Sequence, residues 1–461
     1  MESQFDQEFI GGFPPQQRIE PSEGDVPTPL KKRRYIMWFP SWLRNRKRRG
    51  VTRKRPTFRP TLEALEDRWV PSTLTVSGTA DSGAGSLRAE IAAAHSGDTI
   101  KFAIPTTDPG YNPTTGVFTI TLTSGELLIK QNLTIAGPTD RSVTVSGRGH
   151  SRVFEVAKQD TVTLSGLTIS NGFVVSALAK SGYDTTNGDG AGILNHGMLT
   201  VSNCALSHNT ASYGSAGSAD GGGINNDGTL TVSNSILSYN AAGGGGGIYN
   251  ERGGNLTVNN NCIVSYNSGG GIYSDGTATI SGCQVLNNTG ILGGGIANTA
   301  MMTVSGCVIS GNTAATSRAG ELGEGGAIWA SSTYYTTNSL TISGCTLSNN
   351  SSTGEGGGIY VGNGTVNVIN GTTLSGNSAA TYGGGIYVYY ATVTVSDSTL
   401  SSSLASTAGG GGGIYIKPWN NGLQSTVTIS GSGFSANKSG PTNTPDNIFG
   451  VWIDGGGNTF S

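Results

Sequence analysis

Three glutamates, Glu321, Glu324 and Glu355, sit in variable segments just ahead of glycine clusters, and Arg318 is the basic residue nearest to them. Two or three carboxylates converging on a groove, with an Arg or Lys base and often calcium, can cleave a polysaccharide by general acid–base chemistry. These are the best catalytic candidates in the chain, although solvated loop charge explains them more simply. Asp227 and Asp275 recur in one Asp-Gly slot, where Asp is a turn former. The glycine runs lack the interleaved Asp of calcium-binding nonapeptide repeats, so no metal or other cofactor is expected. The five cysteines, Cys204, Cys262, Cys283, Cys307 and Cys345, show no C-x-x-C spacing and no His cluster. They occupy one repeated slot that Ser235, Ser398 and Ser432 fill elsewhere, which reads as a buried ladder of small thiols rather than as disulfides.

Binding chemistry is better represented. Tyr249, Tyr273, Trp329, Tyr360, Tyr387 and Tyr415 each follow an apolar Ile by one position, so they point away from the core that the Ile faces. Such a row can stack against sugar rings or a protein partner. It can equally stack on itself and only stabilise a sheet. A second row of Thr-x-Ser, as in Thr231/Ser233 and Thr303/Ser305, makes a hydroxyl ladder whose Asn and Ser interruptions argue against ice binding.

The elements that position these residues come from a repeat. Gly-Gly-Gly-Ile begins at Gly221, Gly245, Gly269 and Gly293, with copies or variants at Gly190, Gly325, Gly356, Gly383 and Gly411. The first four are 24 residues apart, and wider spacings are the same unit with an insertion. A second element follows each copy, as in LTVSNCALSHN from Leu199 and MTVSGCVISGN from Met302. Its last position is Asn209, Asn240, Asn267, Asn288, Asn312, Asn350, Asn377 or Asn437, with Ser403 as the exception. Apolar residues alternate with Thr and Ser over three to five positions bounded by Gly, Asn or Asp-Gly, which predicts three short strands per unit. No unit can cover its own apolar face, but stacked units align Ile on Ile and Val on Val. The predicted fold is therefore all-β, a single-stranded right-handed parallel β-helix of about 24 residues per rung, with a short N-terminal capping helix and a disordered leader. Asn is expected to take the left-handed turn conformation and to stack its amides from rung to rung. Insertions gather before the glycine cluster (Thr210 to Asp220, Thr313 to Glu324) and after it (Ser331 to Ser339, Lys417 to Ser425), at edges where solenoids bind partners.

Upstream, DSGAGSLRAEIAAAHSGDTIKFA from Asp81 predicts a helix over Ser86 to His95 and then a strand. Segments from Val117 onward read as irregular first rungs, and PDNIFGVWIDGGGNTFS from Pro445 reads as a last rung and cap. The opening stretch resembles the first module of many bacterial β-helix surface proteins. The paired GGA-Ile and Phe-x-x-Asn elements, literal at Gly325–Ile328 and Phe434–Asn437, resemble the repeats of chlamydial polymorphic outer-membrane proteins over about 270 residues. No alternating ~10-residue strands of a membrane barrel accompany them.

Ahead of the repeats the composition changes. Between Lys31 and Arg59 there are 13 Lys/Arg and no acids, whereas from Thr73 on there are 12 basic and 20 acidic residues. The motif RPTFRPTLEALEDRWVPS, Arg55 to Ser72, resembles the leader of large exported proteins of planctomycete bacteria, which implies delivery to export machinery. Met37 followed by WFPSWLRNRKRR resembles the usual start of such leaders, so residues 1–36 are expected to be an over-extended gene start. The basic run is read as targeting rather than nucleic-acid binding. With 74 Gly among 461 residues but only 16 Pro and no Gly-X-Y period, collagen is excluded, and no apolar run is long enough for a transmembrane helix.

These readings divide the chain into a disordered basic leader at 1–72, an N-terminal strand-helix-strand cap at 73–116 and a parallel β-helix with C-terminal cap at 117–461. They imply a non-catalytic exported protein of a bacterial cell surface, outer membrane or extracellular space, adhesin-like or structural, with a polysaccharide or surface protein as partner. The alternative is a secreted polysaccharide lyase or glycoside hydrolase on the same scaffold.

Overall fold

A computed structural model describes residues 70–175, 188–212, 219–317, 320–332, 338–418, 425–442 and 444–461. The expected leader, residues 1–69 of it, and Arg318 lie outside the described residues. The described residues form a right-handed parallel β-helix and, among them, one α-helix, α1 (Leu87–Ala93), near its start. Three strands per turn form three faces. The Ile face carries the strands after the glycine clusters, such as Ile248–Asn250, and the Thr face carries strands such as Asn255–Asn259. The Leu face carries strands such as Ile263–Ser265.

Identical slots sit on one another, as the apolar period requires. On the Ile face Ile224 pairs with Ile248, then Ile272, Ile296, Ile328, Ile359, Ile386, Ile414 and Ile448. Val232, Val258, Ile280 and Val304 stack on the Thr face, and Leu237, Val264, Val285 and Ile309 on the Leu face. These side chains are buried in one continuous core, so each rung is closed only by its neighbours. Four Thr-face strands, Thr73–Val76, Asp98–Phe102, Leu133–Ala136 and Thr161–Ser165, precede the nine counted repeats in parallel register.

Three details differ from expectation. Each rung has a fourth short element after its Asn, such as Thr313–Ala314 and Ser351–Ser352, because the backbone beyond the corner also finds ladder partners. The left-handed residue is the one before each Asn, for example Asn287 at φ 54° or Gly311 at φ 66°, and not the Asn itself. That turn frees the Asn side chain to enter the rod. Asn288 donates from Nδ2 to the Val264 carbonyl and to Asn312 Oδ1, while its own Oδ1 accepts from the Asn267 N–H. The expected amide stacking is thus present, with each buried amide meeting the backbone and the next rung. Finally, α1 is shorter than Ser86 to His95. Ser86 caps its start by accepting from the Ala89 N–H, and Asp98 takes the His95 N–H and holds the chain out of the helix.

The glycine clusters are explained by crowding. Gly221 has φ 65°, and a Cβ on Gly222 would lie 2.4 Å from the carbonyl oxygen of Ala241, in the fourth element that closes the same rung.

Candidate functional site

The Ile-face strands are only three residues long in most rungs, so one side chain per rung points away from the core. The register puts Tyr249, Tyr273, Ala297, Trp329, Tyr360, Tyr387, Tyr415 and Phe449 in that outward slot. The rings stack on each other. Tyr249 and Tyr273 have centroids 4.9 Å apart and planes within 8°. Trp329, Tyr360, Tyr387, Tyr415 and Phe449 continue at 6.3, 5.2, 5.6 and 5.0 Å. Their faces are consumed by this stacking, and Trp329 and Tyr387 are buried although they point outward. Tyr382, directly before the Gly383 cluster of the preceding rung, also covers Tyr415 at 4.5 Å.

Ala297 breaks the row. Tyr273 is stacked on Tyr249 on one side, and on the other its neighbouring rung offers a methyl group instead of a ring. Tyr273 lines an open cavity of about 560 Å3 together with Glu321, Glu324, Glu355, Leu322 and Ile291. The three candidate glutamates are therefore brought together with one member of the aromatic row, and the missing side chains of Gly243, Gly244 and Gly269 leave the room. Leu322 and Ile291 are exposed apolar walls.

The electrostatics are uneven. Burial raises the Glu324 carboxyl above its ordinary range, and the nearby Glu355 carboxylate adds to this, while the Trp329 Nε1–H donates to Glu324 at 3.0 Å and opposes it. Burial raises the Tyr273 hydroxyl too, helped by the Asp275 carboxylate. Asp275 does more than turn the chain: it accepts from the Tyr249 hydroxyl at 2.7 Å and from Thr299 Oγ1 at 2.6 Å. Asp227 lies 3.2 Å from a His196 ring nitrogen. A carboxyl with a raised pKa beside two further carboxyls could donate a proton. The same pocket can hold hydroxyl or cationic groups of a ligand against an aromatic face.

The cysteines are free and buried in the expected ladder, with thiols donating to carbonyls such as that of Asn259 from Cys262 at 3.0 Å. Among the described residues no group of three or more His, Cys, Asp or Glu could hold a metal, and no helix is long and apolar enough to cross a membrane. Sequence reasoning missed a second internal ladder between the Ile and Thr faces. There Asn195, Asn226, Asn250 and Ser274 pass a hydrogen bond from rung to rung at 2.6, 2.7 and 3.0 Å. The recurrence of Asn two places after the Ile was its signal. Phe449 was missed because it lies in the least regular rung.

Residues 344–362 and 371–389 match the sequence model of the Chlamydia polymorphic membrane protein repeat. These stretches hold Gly356–Ile359, Leu374–Asn377 and Gly383–Ile386, whereas the literal GGA-Ile and Phe-x-x-Asn copies lie outside them, and the match is far shorter than the 270 residues over which the resemblance was drawn. No curated protein matches the chain. The chain is thus a repetitive parallel β-solenoid, two short stretches of which are similar to that repeat.

Proposed function

We propose that this protein is a non-catalytic, exported envelope or extracellular scaffold that binds a surface glycan or surface protein, with the Tyr273 cavity as a principal contact. In this reading residues 1–72 deliver the chain, 73–116 close the start of the rod and 117–461 present the binding surface. The observation that carries it is the ring of Tyr273, stacked on Tyr249 on one side but left without a ring on its Ala297 side, in a cavity with Glu321, Glu324 and Glu355. Trp329 and Tyr387 serve the sheet instead, since they are buried in their own stack. The raised carboxyl of Glu324 favours a second reading, a polysaccharide lyase or hydrolase in which Glu324 is the acid.

One experiment separates the two. Wild type, Tyr273→Ala and Glu321→Gln/Glu324→Gln are screened on a polysaccharide panel for both retention and new chain ends. Under the scaffold reading Tyr273→Ala weakens retention at least tenfold and no protein releases chain ends. Release by wild type that the double Gln variant abolishes establishes the enzyme instead. Protease shaving of intact producing cells tests the location, and recovery of the repeats only from the cytosol removes both readings.

A further inference from the structure

The corner between the Leu face and the short fourth element turns through a residue of positive φ in each rung from Asn171 to Ala436. Asn or Gly, the residues least strained there, fill it at Asn171, Asn287, Gly311, Asn349 and Gly376. Three successive rungs carry His208, Tyr239 and Tyr266 instead, at φ 57°, 57° and 55°. Bulky residues in this region are held against local preference, and such outliers point to function when burial does not compensate. Burial does not compensate here, since His208 is exposed and Tyr239 and Tyr266 are 53% and 51% exposed. The three rings form a rigid strip with centroid spacings of 5.4 and 5.2 Å and planes within 12° and 5°.

At its His208 end the strip runs into an open cavity of about 500 Å3, lined by Arg148, Phe173, His208, Thr121, Ser146 and Thr210. Among the described residues no carboxylate lines this cavity, although acids outnumber bases 20 to 12 from Thr73 on. Arg148 is exposed, and among the described residues its guanidinium has no carboxylate partner. A lone guanidinium, three hydroxyls and an aromatic strip suit a ligand that combines an anion with many hydroxyls on a chain long enough to follow several rungs.

We propose that this corner binds an acidic polysaccharide, with its carboxylate or sulfate on Arg148 and its sugar units running along His208, Tyr239 and Tyr266. The site shares no residue with the Tyr273 cavity and does not depend on it. The test uses the full chain and measures affinity for polygalacturonate, dextran sulfate and neutral dextran. Two variants address the site: Arg148→Gln, and Tyr239→Asn with Tyr266→Asn. The Asn pair copies what Asn287 and Asn349 do in the same corner, so its urea midpoint should not fall below that of wild type. Each variant is expected to weaken binding of at least one acidic polymer tenfold or more, and Arg148→Gln should erase the preference over dextran. Lys101→Gln, which removes an exposed cation outside both cavities, should leave this binding unchanged. The proposal is overturned if wild type holds dextran as well as the acidic polymers or binds neither acidic polymer. It is also overturned if Lys101→Gln weakens the binding as much as Arg148→Gln does, or if only the Tyr273 and Glu324 variants weaken it.

Discussion

Single side chains inside the rod carry polar work that a hydrophobic core would not predict. Asn288 is buried and ties together three rungs through the Val264 carbonyl, Asn312 and the Asn267 N–H. Asn288→Ala leaves the buried Asn267 N–H without its acceptor, and each such group costs roughly 1–3 kcal/mol, so urea unfolding should report a loss in that range or above. The cysteine slot behaves oppositely, because Ser235, Ser398 and Ser432 already fill it. Cys307→Ser should therefore change stability by less than about 1 kcal/mol. Burial lifts the Cys204 thiol up to about 11. Since the thiolate is the reactive form, alkylation of the native protein at pH 8 should be slow at this residue and become fast in denaturant. Asp189 gives a pH dependence. Burial, reinforced by the Asp220 and Glu251 carboxylates, raises it to about 7, whereas an unfolded Asp ionises near 4. Between about pH 4 and 7 the native state keeps a proton the unfolded chain has lost, so this group makes stability fall as pH rises. Asp189→Asn should shrink the difference between urea midpoints measured at pH 5 and pH 8; an unchanged difference contradicts the assignment.

At the level of elements, the glycine cluster and the three-residue Ile-face strand act as one unit. The cluster lets the fourth element that closes a rung lie against the glycines that open it, and the strand then aims a single side chain outward. Gly222→Ala puts a methyl 2.4 Å from the Ala241 carbonyl oxygen, a fixed backbone atom. A forced backbone shift of this kind costs about 1–3 kcal/mol, and the expected readout is a lower thermal midpoint with the β-sheet circular dichroism retained. Where the outward residue is aromatic in consecutive rungs the rings close on one another, and where Ala297 interrupts them the Tyr273 ring is left open toward the cavity. Ala297→Tyr should extend the stack and cut polysaccharide retention at the Tyr273 cavity; full retention would mean that the cavity is not the contact.

The whole molecule is a one-dimensional stack, and its stability is a sum over rungs and their interfaces. Deleting residues 269–292 removes one 24-residue unit and joins Ser268 to Gly293, so that Ile248 meets Ile296 and Asn267 meets Asn312. That deletion should fold with the same β-sheet spectrum and a lower urea midpoint. Collapse to an unfolded spectrum would show that the rung holding Cys283 and Asn288 is not interchangeable.

The repeat, the inward Ile, Val and Leu, the cysteine ladder and the outward aromatic slot were legible in the order of residues, because a solenoid turns sequence period directly into spatial register. Stacked identical positions need no long-range information. What the order of residues left open was which outward side chains remain accessible. Tyr387 and Tyr273 occupy the same slot and read alike, yet one is sealed between two rings and the other faces a cavity. Glu321, Glu324 and Glu355 lie on irregular segments, and only the packing of those segments over Gly243, Gly244 and Gly269 brings them to Tyr273. Period fixes what lies above and below a residue in the rod, but lateral cover by insertions follows no period, and so the tertiary structure alone decided where a ligand can reach.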